Sequence, residues 1–599
     1  MYESFRQPKH TMHLVVQQMA KQFSNGIFYL NLWPFNNTLM VVANPFTASQ
    51  VEAAFLDKPN AMCDTLEIIN GGPSLQTMHG STWKKWRVLF NPGFAAGYMA
   101  GLAPAIADEV AVFCKLLREL ARKGEIFQLE EYTLRLTFDV IGRVTLDARL
   151  QYQTQGSALA DCLRRQVYWT PFGTTFNPIR RYLSPRPLVQ KYNSYRMNQY
   201  LDGEIDKRFE ELATSRRDSS RESRVQSRSI ISLAMDKYLE EAGDTGELSK
   251  KAFKKLAKPQ LRMFLYAGHD TTSSTLLYCY YLLSRHPEVL SKVRAEHDKV
   301  FGSDFSIEYC SQVITSDPTL LNQIPYTLAV IKEILRIFPP AGSLREGRPD
   351  VVLTDEEGRQ YPTEGCHIWT LSLVMHHSPK VFVKPEEFIP DRWLVGPEDP
   401  LYPKKGSWRA FEWGPRNCIG QTLAQLELKV ALVMTARMFD ITPAYDEWDQ
   451  LHPRKGIKSV EGNRVYQAEM GGGGAHPADG FPVRVALIEP KPEFMENPSL
   501  IVNERRDTVL HWIASVGHLS MLQAFRPALI NETLVNDQNE QGDTPLLCAA
   551  RAGHFDVLRM LINLGADAGI SNTLIIRKPS ALLDWNGLRQ CHTDGSASR

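Results

Sequence analysis

From about residue 100 to residue 300, apolar positions return every three to four residues, the spacing of one buried stripe on a helix. The pattern predicts a largely helical body. One stretch breaks it: Ala213 to Ser229, ATSRRDSSRESRVQSRS, is Ser/Arg-rich and nearly free of large apolar side chains, so a solvated loop between helices is expected. After it, LAKPQLRMFLYAGHDTTSSTLLYCYYLLSRHPEVLSKVRAEHDKVF reads as a long helix, a stop at Pro287 and a further helix. Between Phe338 and Trp393 the texture changes to short strands and Pro/Gly turns, as in FPPAGSLR and VVLTDEEGRQYPTEGCHIWTLSL. Helix resumes after Cys418 in GQTLAQLELKVALVMTARMF, and MGGGGAHPADGFPVRVALIEP predicts a loop and a closing strand near residue 488. Near the start, Pro34-Phe35-Asn36-Asn37 splits GIFYLNLWPFNNTLMVV into two short apolar runs, a strand–turn–strand signature. The fold class expected is mainly α with small β-sheets.

The last hundred residues have their own period. DTVLHWIASVGHL from Asp507 aligns with DTPLLCAARAGHF from Asp543 at an offset of 36 residues, matching Thr508 with Thr544, Ala514 with Ala550, and Gly517-His518 with Gly553-His554. The second copy continues DVLRMLINLGADAGISN. The segment resembles ankyrin repeats, whose period is about 33 residues. About two copies are expected over 506–575, short of the three or more that such stacks usually need. The module therefore either leans on the main domain or is merely fused to it. The division expected along the chain is 1–490 for the main domain, 491–505 for a linker, then the repeats, then a disordered tail over 576–599.

Composition narrows the class without naming it. The 599 residues are 43% hydrophobic and 23% charged with a net charge of +1, as in a soluble globular protein, and give no electrostatic reason to expect nucleic acid. Nine scattered cysteines, never in a CxxC pair, argue against a disulfide framework or zinc site and for a reducing compartment. MYESFRQPKHTMHLVVQQMA carries neither a secretory signal nor the run of about 20 apolar residues that spans a bilayer.

Chemistry enters with FEWGPRNCIG. It completes F-x-x-G-x-R-x-C-x-G as Phe411, Gly414, Arg416, Cys418 and Gly420. Glycines let a backbone fold tightly beneath a flat cofactor and aim amides at a sulfur, lowering its basicity. Phe411 can shield that sulfur, Arg416 can pair with a haem propionate, and a helix from Ile419 would turn its positive end to the thiolate. A lone cysteine in a Gly/Pro turn is usually structural; five fixed positions in ten residues favour a metal-ligating thiolate, Cys418 on haem iron. The stretch resembles the haem-binding loop of the cytochromes P-450, the haem-thiolate monooxygenases, and implies their mainly helical fold, followed here by the α-helical ankyrin-like segment.

Other segments join this resemblance in the family's order, over roughly residues 20 to 490. In IKEILRIFPP, Glu333 and Arg336 lie on one helix face, and the resemblance adds Arg392 of FIPDRW as the third member of a structural network behind the cysteine loop. Arg345 follows Pro339-Pro340 at the spacing of a second propionate-binding arginine, His376 matches a histidine common in the family, and Phe382 stands where a tryptophan is usual. In STWKKWRVLFNPGF the resemblance assigns Trp83 and Arg87 to the propionates, which need cationic partners if buried. AGHDTT matches the oxygen-activation motif. Gly268, costly inside a helix, is expected to leave room for dioxygen, and Asp270 and Thr271 to be the catalytic acid–alcohol pair that delivers protons.

The resemblance implies haem b as cofactor, O2 and NADPH as co-substrates, and electrons from a separate NADPH-cytochrome reductase, with exposed Lys84 and Lys85 as a docking patch. The substrate is expected to be a hydrophobic small molecule, from a pocket near Phe264, Ala267, Thr271, Ala341 to Leu344 and Gly471 to Gly474. The core most resembles filamentous-fungal enzymes that tailor polyketides or terpenoids in secondary metabolism. The family's usual membrane helix and Pro-rich hinge are missing, so either the start is truncated or the core surface meets the membrane. A peripheral position on the cytoplasmic side of the endoplasmic reticulum is expected. Two alternatives remain: a haem-thiolate isomerase or dehydratase that does not activate oxygen, against which the retained acid–alcohol pair stands, and an interaction protein working through the ankyrin-like tail and its protein partner.

Overall fold

The computed structural model describes residues 12–32, 37–170, 184–217, 229–242, 247–302, 304–453, 458–469, 474–488, 502, 505–517, 519, 522 and 532–570. They form two compact units that interleave along the sequence. One takes in residues up to Val293 with Ile314–Leu432 and Asp440–Ala486; the other takes in Arg294–Val313, Val433–Phe439 and the stretch from Leu487.

Five helices position the site in the first unit. In α1 (Gly80–Phe90), Trp83, Trp86 and Phe90 are buried at helical spacing while Lys84 and Lys85 are exposed. Helix α2 (Leu129–Leu146) lies along the 39-residue helix α3 (Glu247–Arg285), which matches the expected long helix and stop before Pro287. Their contact includes polar groups: Thr137 Oγ1 donates to His269 O at 2.8 Å, and the Thr133 and Ser273 hydroxyls lie 2.7 Å apart. The other two are α4 (Pro325–Ile337) and α5 (Gln421–Thr435), the latter belonging to this unit as far as Leu432.

The strand–turn–strand expectation is met by antiparallel β1 (Ile27–Leu30) and β2 (Thr38–Val42), although Pro34 to Asn36 lie outside the described residues. The short-strand region supplies β3 (Leu344–Glu346) and β4 (Cys366–Thr370), giving a four-stranded sheet ordered β1-β2-β4-β3, with β2 and β4 parallel. Alternation along the strands sends Met40, Val42 and Ile368 to one apolar cluster and Val41 to another, so both sheet faces are covered. Farther on, β5 (Gln467–Glu469) pairs antiparallel with β6 (Ala475–Pro477).

The predicted Ser/Arg-rich loop begins later than expected. Helix Arg186–Arg217 runs through Ala213 to Arg217, whose residue types, alanine and arginine among them, tolerate a helical backbone. Residues 218–228 lie outside the described residues.

In the second unit, α6 (Val509–Val516), α7 (Pro545–Ala552) and α8 (Phe555–Asn563) bury Leu510, Ile513, Leu546, Ala549, Val557 and Leu561 together. The sequence repeat corresponds to a structural one. Thr508 and Thr544 cap α6 and α7, and both helices end on a left-handed glycine, Gly517 (φ 81°) and Gly553 (φ 76°). His511 joins the copies by donating from Nε2 to Asp543 O at 2.8 Å. Trp512 packs against Phe305 at 5.5 Å between centroids, and Arg505 pairs with buried Asp304, so the module shares its unit with Arg294–Val313. His518, the proposed linker up to residue 501 and the stretch 576–599 lie outside the described residues.

Candidate active site

The cysteine loop closes on itself. Asn417 N–H donates to Gly414 O at 3.1 Å and Cys418 N–H to Phe411 O at 2.9 Å. Gly414 adopts φ 79°, where a side chain would be strained, and a Cβ there would lie 3.3 Å from Glu52 Cβ. Gly420 contributes its amide, which bonds Cys418 Sγ; a Cβ at this position would meet the sulfur at an ordinary 3.8 Å. The following helix begins at Gln421, two residues later than the predicted Ile419.

Cys418 is the one exposed cysteine among the described residues, yet burial pushes its thiol pKa up against the pull of the Gly420 amide and Arg87. Reachable by solvent but crowded by protein, it has the surroundings of a residue lining an interior space. Arg87 braces the loop, donating to Asn417 O at 2.9 Å and to Asn417 Oδ1 at 3.0 Å. The guanidinium expected on a propionate therefore holds the cysteine's neighbour in this structure. Trp83 lies under Arg416, whose guanidinium carbon is 4.6 Å from the ring centroid.

Arg416 donates to Met78 O at 3.0 Å, but its buried Nε and Nη2 have no hydrogen-bond partner. Burial and Arg345 depress its pKa. Lys58 belongs to the same cluster: burial, then Arg345 and Arg416, push its ammonium down to about 8. Glu412, buried nearby, is itself pushed up. Three cations that repel one another, one of them with two buried donors that make no hydrogen bond, face Glu412 and Asp57, the latter 3.7 Å from Arg416 Nη2, and fit a further group bearing carboxylates. Beside an accessible thiol, that donor set suits haem.

Behind the loop, Glu333 is saturated. Its carboxylate accepts from Arg336 at 2.9 and 3.0 Å, from Arg392 Nε at 3.0 Å, from Ile389 N–H at 3.1 Å and from Trp393 Nε1 at 3.0 Å. Arg336 also reaches His376 O, Pro385 O and Glu387 O. His376 Nδ1 donates to Arg336 O at 2.9 Å while Nε2 accepts from Arg409 N–H at 3.0 Å, extending the network toward the cysteine loop. Phe382 receives Arg336 and Arg392 over its ring at 5.3 and 5.9 Å, so it occupies the expected tryptophan position as a cation–π partner.

On α3, Thr271 Oγ1 donates to Ala267 O at 2.9 Å. Asp270 is held at Oδ1 by His476 Nε2, 3.2 Å away; burial would raise its pKa, but His476 leaves it below the ordinary carboxylate value. The expectation for Gly268 needs correction. A Cβ there would meet Ile141 Cδ1 at 2.8 Å and Cγ1 at 2.9 Å, so its missing side chain lets α2 approach α3 and opens no space for dioxygen. Three expected pocket segments do converge: Ala475 N–H donates to Pro340 O at 2.8 Å, next to Ala341, and Ser274 Oγ on α3 donates to Ala475 O at a short distance. Phe264 packs its ring on Phe90 and Phe94. Gly471 to Gly473 lie outside the described residues. Sequence reading missed Lys58, Glu412, Glu130 and His476. The only local signal was a histidine after four glycines in GGGGAHPADG.

A cytochrome P450 family model matches residues 3–465, and a model described as ankyrin repeats in three copies matches residues 486–572, starting upstream of the predicted 506. The chain is 38% identical to cytochrome P450 monooxygenase polC of Polytolypa hystricis over 81% of this chain and 86% of the relative. It is 32% identical to cytochrome P450 monooxygenase acrF of Aspergillus aculeatus over 77% and 94%. The crystal structure of the cytochrome P450DA heme domain shares the fold at TM-score 0.62 and 20% identity, covering 80% of this chain and 93% of that one. Among the described residues no helix is long and apolar enough to cross a membrane. A thiol beside a cluster of three cations with unpaired donors, on this fold and with these relatives, has one consistent reading: the chain belongs to the cytochrome P450 family, and is a haem-thiolate monooxygenase that takes electrons from a redox partner and oxygenates a small molecule.

Proposed function

We propose that Cys418 Sγ would ligate the haem iron, that Arg345, Arg416 and Lys58 would hold the haem carboxylates, and that Asp270 and Thr271 manage protons. The observation that carries this assignment is the solvent-reachable but enclosed Cys418 thiol, with the Gly420 amide on its sulfur and unpartnered Arg416 donors in the same region. Haem supplies the activation of dioxygen. Arg87 fixes the loop through Asn417, and Phe411 and Gly414 close it, so the sulfur is presented in one orientation. The Glu333–Arg336–Arg392 network keeps that loop in register from behind. Asp270, anchored at Oδ1, accepts a proton at Oδ2 and passes it on toward the Thr271 hydroxyl.

The substrate we infer is a hydrophobic small molecule of polyketide or terpenoid type in secondary metabolism, in keeping with the fungal relatives named above and the apolar segments that converge near Ala341. The electron donor is an NADPH-cytochrome reductase docking over exposed Lys84 and Lys85. Leu188, Tyr192 and Tyr195, exposed at i, i+4 and i+7 on helix Arg186–Arg217, support peripheral contact with the endoplasmic reticulum membrane. The ankyrin repeats are a docking surface for a protein partner.

A panel of terpenoids and polyketides added to haem-loaded protein tests the substrate class: apolar members should shift the Soret band to shorter wavelength and small polar acids should not. Shifts only with polar acids would refute it. With a compound so selected, Thr271→Ala should cut product per NADPH by about a hundredfold without loss of haem; unchanged coupling would remove Thr271 from the proton path.

A further inference from the structure

His476 lies at the centre of strand β6, paired with Ala468 of β5, and its ring is 1% exposed. It touches carboxylates on both sides. Nε2 is 3.2 Å from Asp270 Oδ1 on α3, and Nδ1 is 2.7 Å from Glu130 Oε1 in the first turn of α2. A carboxylate only accepts, and a neutral imidazole has a single N–H. Nε2 donates to Asp270 Oδ1, while Nδ1 faces the Glu130 carboxylate at ion-pair distance without an aligned hydrogen bond, so a second proton on Nδ1 is favoured by charge and makes the ring a cation between two carboxyl groups. The charge balance agrees. Burial alone would push the imidazole pKa down, yet Asp270 and Glu130 hold it up at about 10. The other titratable groups facing Asp270 are Tyr266 and His269, both on α3, and burial keeps His269 low.

The bend just before the strand faces the second oxygen. Gly474 lies in that bend, two residues before His476, and a Cβ there would overlap Asp270 Oδ2. The chain thus meets one oxygen of Asp270 with a cationic donor and keeps side-chain bulk away from the other. A surface acid on a helix needs neither device.

We propose that His476 is a positioning residue: its imidazolium, braced by Glu130, fixes Asp270 through Oδ1 and so dedicates Oδ2 to proton transfer toward Thr271. Each proton taken up at Oδ2 from solvent is the one passed on, and the Glu130–His476–Asp270 set returns to its starting charge. The inference rests on the proton-relay reading of Asp270.

A double-mutant cycle in haem-loaded, full-length protein tests it, using the terpenoid or polyketide probe selected by its Soret shift. His476→Gln, Asp270→Asn and the double variant are compared by product per NADPH oxidised, alongside the probe's spectral Kd and the carbon monoxide difference band. His476→Gln is expected to lower coupling about tenfold, the scale of a lost buried positioning partner, with Kd and band unchanged. The double variant should be no worse than Asp270→Asn alone, because His476 acts only through Asp270. Effects that multiply, or a His476→Gln enzyme as well coupled as the wild type beside an impaired Asp270→Asn, would overturn the proposal and leave the relay standing. No effect from either single variant would sink the relay itself. Should His476→Gln lose the band, Glu130→Gln, which leaves the Asp270 contact in place, must still lower coupling; unchanged coupling there overturns the bracing role. A readout independent of turnover is the imidazole nitrogen shift of His476 in the ferrous carbon monoxide form. It should report both nitrogens protonated at pH 8 in the wild type and not in Asp270→Asn; a neutral ring in the wild type contradicts the proposal.

Discussion

Two buried arginine-rich sites flank the same cysteine loop, and they are opposites. Behind it, Arg336 and Arg392, fully buried, spend their donors on Glu333 and on main-chain carbonyls. Beside it, Arg416 keeps two buried nitrogens without partners and shares its surroundings with Arg345 and Lys58. Burial of charge is common to both; saturation is not. A saturated cation is scaffold, whereas clustered cations with spare donors hold open a place for an anion that the polypeptide does not supply.

Substitution should break the two sites in different ways. Arg336→Leu takes one of two arginines from the buried Glu333 carboxylate and leaves Arg392 as its cation, a loss of about 3–5 kcal/mol, and is expected to abolish holoprotein and lower the melting temperature of the haem-free chain; an unchanged melting curve would deny the network its scaffolding role. Arg416→Leu removes a desolvated cation whose Nε and Nη2 make no hydrogen bond and whose nearest carboxylate, Asp57, is 3.7 Å away, so the haem-free chain should lose far less stability than Arg336→Leu while haem affinity falls about 10- to 100-fold. Equal losses of stability in both variants would erase the distinction. The smallest effect concerns pH. Lys58 sits at about 8, held down by burial and Arg345 against the weaker pull of Glu412, and haem carboxylates would raise it. Haem binding then takes up a proton above pH 8, and affinity should weaken by up to about tenfold per pH unit between about 8 and 10. Lys58→Met should flatten that slope; a wild-type affinity constant across this range would exclude Lys58 from the site.

Whatever depends on neighbours close in sequence was legible before folding. Five positions within FEWGPRNCIG specify the loop, Glu333 and Arg336 lie one helical turn apart, and the paired glycines Gly517 and Gly553 mark the repeat. Gly268 was misread because helical spacing gives its cost but not its neighbour; Ile141, from another helix, decides that. Lys58, Glu130 and His476 escaped for the same reason. Glu130 and His476 meet Asp270 from segments far apart in the chain, and only the packing of α2, α3 and β6 brings three charges together. The arrangement of the compact units was equally hidden: no local pattern announces that Arg294–Val313 shares a unit with the repeats.

The central claim is the bond from Cys418 Sγ to haem iron, and the reduced protein under carbon monoxide tests it most directly. The account predicts the strongly red-shifted Soret band of a thiolate-ligated haem in the wild type and its loss in Cys418→Ala. A band that survives the substitution, or none in folded, haem-supplemented wild type, would contradict it.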